Sequence, residues 1–154
     1  MSPKSSSEQS PNSRRGARSH ARWAYDEERQ ILFVSHPDPV TLETQAEMRA
    51  YFDYGIGFWR EQCNGRRLYV VVDYENLTTS HEELEFYASQ AKRVMDEIAI
   101  TIIRYNGTLL QRMAGRMTAL ALHTTSKTYG SLEEALEVVR GLQRGTISIH
   151  PPRP

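Results

Sequence analysis

Residues 66–83 read RRLYVVVDYENLTTSHEE, in which an apolar run stops at an acid and a helix start follows. Leu68 to Val72 are five consecutive apolar or aromatic residues without polar alternation. Such a run suits a strand covered on both faces, as the central strand of a parallel sheet is. Asp73 then lies at the carboxyl end of that strand, the edge at which open α/β sheets usually bind ligands. We therefore expect a functional site between Asp73 and Glu83.

The residues before this strand predict a hairpin and a first helix. Residues 22–25 and 30–35 are rich in strand-favouring side chains and flank a polar group, which predicts a hairpin at one edge of the sheet. Asp38 and Pro39 have the residue types of an N-cap and a first helical position. The apolar residues that follow have nearly helical spacing, so a helix is predicted from about Pro39 to Cys63.

The residues after the central strand predict a second helix and a second strand. Thr79 and Ser80 each have a Glu three residues later, which is the capping-box arrangement. Apolar residues then recur at helical spacing, so the second helix should begin near Ser80. An apolar strand follows at Ile98 to Ile103 and ends at the turn signal of residues 104–107.

The last part of the chain predicts two more helices and a short strand. Thr108 opens the third helix, and residues 124–129 are rich in Thr and predict the strand. Ser131 with Glu134 predicts the cap of the fourth helix, which Gly145 closes. Alternating strands and helices imply an α/β layer with right-handed crossovers. We predict a mixed, mostly parallel sheet of four to five strands with about four helices.

The order of these segments resembles the STAS domain, the fold of anti-sigma factor antagonists such as SpoIIAA, and more loosely the SpoIIAA-like group. The resemblance is carried by the hairpin, the strand that ends at Asp73, the strand at 100–103, and the closing segment 128–136, which reads TYGSLEEAL. That last segment looks like the final strand and helix of the family. The resemblance covers about Trp23 to Leu142 and implies a STAS-like (SpoIIAA-like) layer.

The resemblance also implies a function. Antagonists of this family are switched by phosphorylation of a Ser in an Asp-Ser-Ser-Gly type motif that opens the helix after the central strand. Thr78-Thr79-Ser80-His81 occupies that region here, without the preceding Asp or the following Gly. The resemblance implies a non-catalytic signalling or regulatory module that binds a protein partner, such as a kinase or an anti-sigma-like regulator, through this loop and helix start.

Composition predicts one domain with tails. The chain has 154 residues, 39% hydrophobic and 25% charged, with zero formal net charge. Residues 1–22 carry five basic side chains against one acidic one, with Ser and Pro and few apolar residues. We predict a disordered basic tail at 1–21, a STAS-like domain at 22–145, and a loose tail at 146–154. We interpret the basic tail as a solvated leader; weak contact with nucleic acid or an acidic partner is the alternative.

The sequence predicts no membrane span, metal or cofactor. Cys63 is the one cysteine, which excludes an internal disulfide and fits a reducing compartment. Neither a membrane-length apolar run nor a secretory signal is found, so we expect a cytoplasmic protein. The five histidines are scattered without ligand-like spacing, and no phosphate-binding loop or nucleophile elbow occurs.

The hydroxyl residues Thr78, Thr79 and Ser80 have two interpretations. One is that they cap the following helix. The other is that one of them, Ser80 in particular, is a phosphoacceptor, since an added charge of about −2 is favourable beside a helix N-terminus. The glutamates at 82, 83 and 85 would oppose that charge.

The charged residues of the predicted site also have alternatives. Asp73 and Arg104 lie at the carboxyl ends of two strands that should be close, so a bridge between their loops is one interpretation. A ligand-facing acid is the other. Glu75 is nearby, and His81 could supply a base, but two carboxylates without a partnered His are weak evidence for acid–base chemistry. We therefore predict no catalytic residue.

The middle of the first predicted helix is unusual in composition. Gly55 and Gly57 each weaken a regular helix by about 1 kcal/mol relative to Ala. The aromatic residues here are too many for one buried face, which predicts an apolar contact for a partner or a second copy, hence a candidate homodimer. The set is Tyr51, Phe52, Tyr54, Phe58 and Trp59, of which Tyr54, Phe58 and Trp59 are the candidate contacts.

Two other functions compete with protein binding. In the first, the chain is a small-molecule or lipid-binding SpoIIAA-like domain, with residues 51–59 lining a pocket. In the second, it is an enzyme that uses Asp73, Glu75 and His81, which lacks a nucleophile and an orienting third group. Protein binding is therefore our first hypothesis.

Overall fold

The computed structural model describes residues 21–107 and 127–146 of the chain. These residues form seven strands, three α-helices and one 3-10 turn. In chain order they are β1 (Arg22–Asp26), β2 (Ile31–Ser35), β3 (Val40–Leu42), α1 (Gln45–Gln62), β4 (Leu68–Asp73), β5 (Leu77–Thr79), the 3-10 turn (His81–Glu83), α2 (Leu84–Glu97), β6 (Ala99–Tyr105), β7 (Thr128–Tyr129) and α3 (Leu132–Arg144).

Five of the strands form one sheet in the order β1-β2-β4-β6-β7. β1 is antiparallel to β2, and the remaining neighbours are parallel. This confirms the α/β fold with a mixed, mostly parallel sheet, and it confirms the hairpin at one edge. The described residues contain three of the four predicted helices, because the helix predicted from Thr108 lies outside them. Residues 124–126 of the strand predicted at 124–129 also lie outside them, whereas its last two residues form β7.

Helices cover both faces of the sheet. Leu68 and Val70 of β4 belong to a core that also contains side chains of α1 and α2. Val71, the residue after Val70, lies on the opposite face of the sheet and belongs to a second core with α3. β4 lies between β2 and β6, so the apolar run is the central strand, as predicted, and its lack of alternation follows from burial on both faces.

The first helix begins later than predicted. It starts at Gln45 rather than Pro39, and its N-cap is Thr44, whose side chain accepts from the backbone N–H of Glu47 in a capping box. The residues before it form β3, which pairs in parallel with β5. Asp38 is therefore not the cap, because the backbone N–H of Val40 donates to the carbonyl of Asn76 instead.

The last helix was predicted correctly. The Ser131 side chain accepts from the backbone N–H of Glu134, and Gly145 adopts a left-handed conformation with φ of 76° at the C-cap. Both signals are local in sequence. Within residues 21–107 and 127–146, no helix has the length and apolar character needed to cross a bilayer.

Gly55 is the point of closest approach between α1 and the hairpin. A β-carbon at this position would overlap Cζ2, Cη2 and Cε2 of the Trp23 ring, the last at 2.7 Å. Gly57, two residues later, has open space within 4 Å. The bare backbone of Gly55 therefore lets α1 pack onto the indole of β1.

Candidate functional site

Among the strands that the structure describes, the strand order does not reverse at the carboxyl edge of the sheet. From β2 to β7 the chain steps across the sheet in one direction. Open α/β sheets bind ligands in the crevice formed where the strand order reverses. The described strands form no such crevice, so any binding site at the edge after Asp73 depends on the side chains there.

Asp73 joins three loops at this edge. Its Oδ1 accepts hydrogen bonds from the backbone N–H of Glu75 at 2.9 Å and from Nδ2 of Asn106 at 3.2 Å. Its carbonyl oxygen lies 2.8 Å from Nδ1 of His36. Burial, followed by the charge of Asp73, raises the pKa of Tyr105 to about 12. The bridge between loops that we predicted from Asp73 is thus made to Asn106.

A buried histidine continues this network into the core. His36 is 3% exposed, and its Nε2 lies 2.8 Å from the Tyr51 hydroxyl. A carbonyl oxygen only accepts, so Nδ1 of His36 donates to Asp73, and the unprotonated Nε2 accepts from Tyr51. Burial lowers the pKa of His36 and raises the pKa of Tyr51, so both side chains stay neutral at pH 7.

The hydroxyl residues lie in β5 and the turn after it. The Ser80 side chain accepts from the backbone N–H of Glu82 at 3.2 Å, so it caps the 3-10 turn. α2 begins at Leu84, four residues later than the predicted cap. The carboxylate of Glu83, which the capping box would use, accepts from Nε2 of Gln45 at 3.0 Å. Thr78 is exposed, whereas Thr79 and Ser80 are half-buried.

The pairing of β3 with β5 brings two acidic segments together, and we call their joint surface, residues 36–48 and 73–86, the acidic edge. Its carboxylates are Asp38, Glu43, Glu47, Asp73, Glu75, Glu82, Glu83 and Glu85, and neither segment contains Lys or Arg. The next basic residue, Arg49, lies over the Phe86 ring at 5.2 Å. The acidic edge therefore carries eight carboxylates on two backbone segments. The pairing of β3 with β5 fixes the position of one segment relative to the other.

Arg104 lies inside the protein and not at the edge. It pairs in register with Val72, whereas Asp73 pairs with Tyr105, so Asp73 and Arg104 project from opposite faces of the sheet. Arg104 is 2% exposed, and its Nε donates to the Tyr74 hydroxyl at 3.0 Å. From the sequence we predicted that Arg104 lies in a turn, because the predicted strand ended at Ile103.

A cavity of about 40 Å³ lies beside Arg104, between the sheet and helices α1 and α2. Its described lining is mostly apolar, with an indole, three phenols and one guanidinium as the polar groups. The lining residues are Trp23, Val34, Tyr51, Phe52, Val70, Val72, Tyr74, Tyr87, Ala91, Val94, Ile102 and Arg104. The pocket considered from the sequence was lined by residues 51–59, of which Tyr51 and Phe52 line this cavity. The part of the lining beside Arg104 was not predicted; its one local signal was a charged residue directly after the apolar run 98–103.

The aromatic residues of α1 are mostly buried. Trp59 is 8% exposed and donates from Nε1 to the carbonyl of Arg66 at 2.7 Å, so it is not an exposed contact. Phe58 is half-buried against the core, and Tyr54 is 44% exposed. Of the three predicted contacts, only Tyr54 is exposed. The helix is therefore amphipathic, with one buried face and one exposed face. Its aromatic side chains fill the core, where Tyr51 packs against Trp23 and Phe52 packs against Tyr87.

An open cleft of about 560 Å³ lies where β6 and β7 end. Its described lining is Glu75, Asn106, Gly107, Thr128, Tyr129 and Gly130. Glu75 is the one carboxylate of that described lining, and burial raises the pKa of Tyr129.

The described residues hold no group of three metal-ligating side chains. His81 is exposed at the start of the 3-10 turn.

Comparison of the chain with family models, curated proteins and solved structures gave no match.

Proposed function

We propose that this chain is a non-catalytic regulatory module that binds a protein partner with a basic surface through the acidic edge. The observation that carries the proposal is the charge of that edge, with eight carboxylates and no Lys or Arg on two neighbouring segments. Exposed charges of one sign attract an oppositely charged partner and set its orientation.

Backbone hydrogen bonds hold the acidic edge in one geometry. The N–H of Val40 donates to the carbonyl of Asn76, and the N–H of Ser80 donates to the carbonyl of Leu42, each at 2.8 Å. The Gln45 and Glu83 side chains join the start of α1 to the 3-10 turn. A surface that is ordered before binding loses less entropy when the partner docks.

The proposal agrees with the resemblance to the STAS domain, which implies recognition through the same loop and helix start. A kinase or an anti-sigma-like regulator stays the predicted partner class, in the cytoplasm. Phosphorylation of Thr78, Thr79 or Ser80 also stays a prediction, and a charge of about −2 there would add to the existing negative field. We expect it to strengthen binding to a basic partner.

Other partners fit the acidic edge less well. A nucleic acid carries the same sign of charge, and a second copy of the chain would place its own carboxylates against this one. A homodimer through α1 would use Tyr54, which at 44% has the largest exposed fraction among the aromatic residues that the structure describes as exposed. In the enzyme hypothesis, Asp73, Glu75 and His81 stay the candidate residues.

The first prediction tests the acidic edge by reversing two of its charges. The full chain, the variant Glu82→Lys/Glu85→Lys and the control Glu133→Lys/Glu137→Lys are used as bait in a lysate of the cells that make the protein. The control removes two exposed carboxylates from α3, so both variants change the net charge equally. Bound proteins are quantified by mass spectrometry from about 50 to about 300 mM salt.

We expect at least one protein to be retained by the wild type and the control and released as salt rises. The edge variant should retain at least about tenfold less of it, and binding of the purified pair should show the same ratio. Equal retention by the edge variant and the wild type would contradict the proposal. Loss with both variants would show that net charge alone matters and would contradict it equally.

A further inference from the structure

Two side chains that line the cavity beside Arg104 can donate hydrogen bonds to a guest, the Arg104 guanidinium and the Trp23 indole. The three phenols of the lining already take part in hydrogen bonds. Tyr51 donates to His36, and Tyr74 and Tyr87 are hydrogen-bonded to each other. A guest that offers acceptor atoms matches the two donors.

One of these donors is buried without an acceptor. Nε1 of Trp23 is inaccessible to solvent and has no hydrogen-bond partner among the described residues. The whole residue is only 9% exposed. Leaving a buried N–H unpaired is unfavourable, so native structures rarely do so without a ligand or water at the site. The second indole of the chain, that of Trp59, donates to the Arg66 carbonyl.

The electrostatics of the cavity favour an anion. The guanidinium of Arg104 carries a positive charge, and Arg104 is 2% exposed. The described lining contains no Asp or Glu. A positive charge acts strongly in such an interior, because few water molecules screen it.

The size of the cavity limits the guest. A volume of about 40 Å³ exceeds the roughly 10–15 Å³ that one water needs. It is far below the roughly 300–1,000 Å³ of sites for drug-sized molecules, so a lipid does not fit. The space suits a guest of about three or four heavy atoms.

We propose that this cavity is a binding site for a small monovalent anion of the carboxylate class, no larger than acetate, with Arg104 as its charge partner and the Trp23 indole as a hydrogen-bond donor. The site lies in the interior, on the face of the sheet covered by α1 and α2. It is independent of the acidic edge, so either proposal stands if the other fails.

The second prediction tests this site with the two indole N–H groups as probes. The full ¹⁵N-labelled chain is titrated with sodium acetate at constant ionic strength, maintained with sodium sulfate, whose anion is larger and divalent. We expect the Trp23 indole signal to shift to saturation while that of Trp59, already hydrogen-bonded, stays in place. The signals are assigned with Trp23→Phe and Trp59→Phe. Octanoate should leave the Trp23 signal unmoved.

Three variants separate binding from folding. Arg104→Gln should weaken acetate binding at least about tenfold, since it removes the charge-assisted hydrogen bond. Ala91→Val fills the cavity and should abolish the shift even if Arg104→Gln does not fold. Ala88→Val is the matched control, because Ala88 is on the same helix and similarly buried but does not line the cavity. It should retain acetate binding.

Several outcomes would overturn the proposal. The absence of a saturable shift in the wild type would mean that the cavity holds water only. Equal, unsaturated shifts of both indoles would mean a general salt effect. Unchanged acetate affinity in Arg104→Gln or Ala91→Val, or saturable binding of octanoate at Trp23, would place the anion elsewhere or require a larger site.

Discussion

Gly55→Ala should destabilise the protein by about 3 kcal/mol or more, the upper part of the range for overpacked cores. The added methyl group would occupy space that the Trp23 ring fills, so α1 or the hairpin must move. Trp23 is a core residue and has little freedom to turn aside. The expected measurement is a lower free energy of unfolding in urea, with an unchanged dependence on urea concentration.

Gly57→Ala is the matched control for this prediction. It changes the same helix by the same methyl group, two residues away, where nothing lies within 4 Å. Because Ala favours a helix over Gly, it should stabilise the protein by up to about 1 kcal/mol. In Gly55→Ala, the further change Trp23→Phe should recover part of the loss, since a smaller ring leaves room. Equal effects of the two Gly→Ala changes would contradict the packing argument.

The two glycines show which features the sequence can predict. From the sequence both are weak points of a helix, with equal cost. The difference between them arises from Trp23, which lies 32 positions earlier than Gly55 in the chain. The apolar run at 68–72 and the cap at Ser131 were predicted correctly because their signals are local.

Features that depend on distant partners were missed. Asp38 and Pro39 have the local pattern of a helix start, but the backbone of residues 40–42 pairs with residues 77–79 and forms β3. After that pairing ends at Thr79, the 3-10 turn precedes the second helix, which starts at Leu84 and not near Ser80. Arg104 had the pattern of a turn residue, and only the extension of β6 to Tyr105 places it inside the core. Without that register, Arg104 could not be predicted to line a cavity.

Acidification below about pH 6.5 should destabilise the protein through His36. An unfolded histidine takes up a proton near pH 6.5, whereas burial lowers the pKa of His36 in the folded protein. Between these two pKa values the unfolded state binds more protons, so the free energy of unfolding falls as the pH falls. This contribution is fully present above the unfolded pKa and is lost as the pH drops through the folded pKa.

The hydrogen bonds around His36 give this loss a structural cause. A protonated ring donates from both nitrogens, so Nε2 could no longer accept from Tyr51, whose hydroxyl would need another acceptor in the core. The Asp73 carbonyl and the charge of Asp73 favour the protonated form, but desolvation is the larger effect. The uptake of one proton can change the free energy of unfolding by at most about 1.4 kcal/mol per pH unit.

His36→Asn tests this assignment against His81→Asn. Asparagine keeps an amide N–H for the Asp73 carbonyl but does not titrate, so the variant should lose part of the decline in stability between about pH 7.5 and pH 5. His81 is exposed, and its replacement should leave the decline unchanged. Urea unfolding at four or more pH values across this range measures both slopes. If the free energy of unfolding declines equally in His36→Asn and in the wild type, the acid sensitivity arises from other groups. The neutral, hydrogen-bonded form of His36 is then not what holds Tyr51 and the Asp73 loop together.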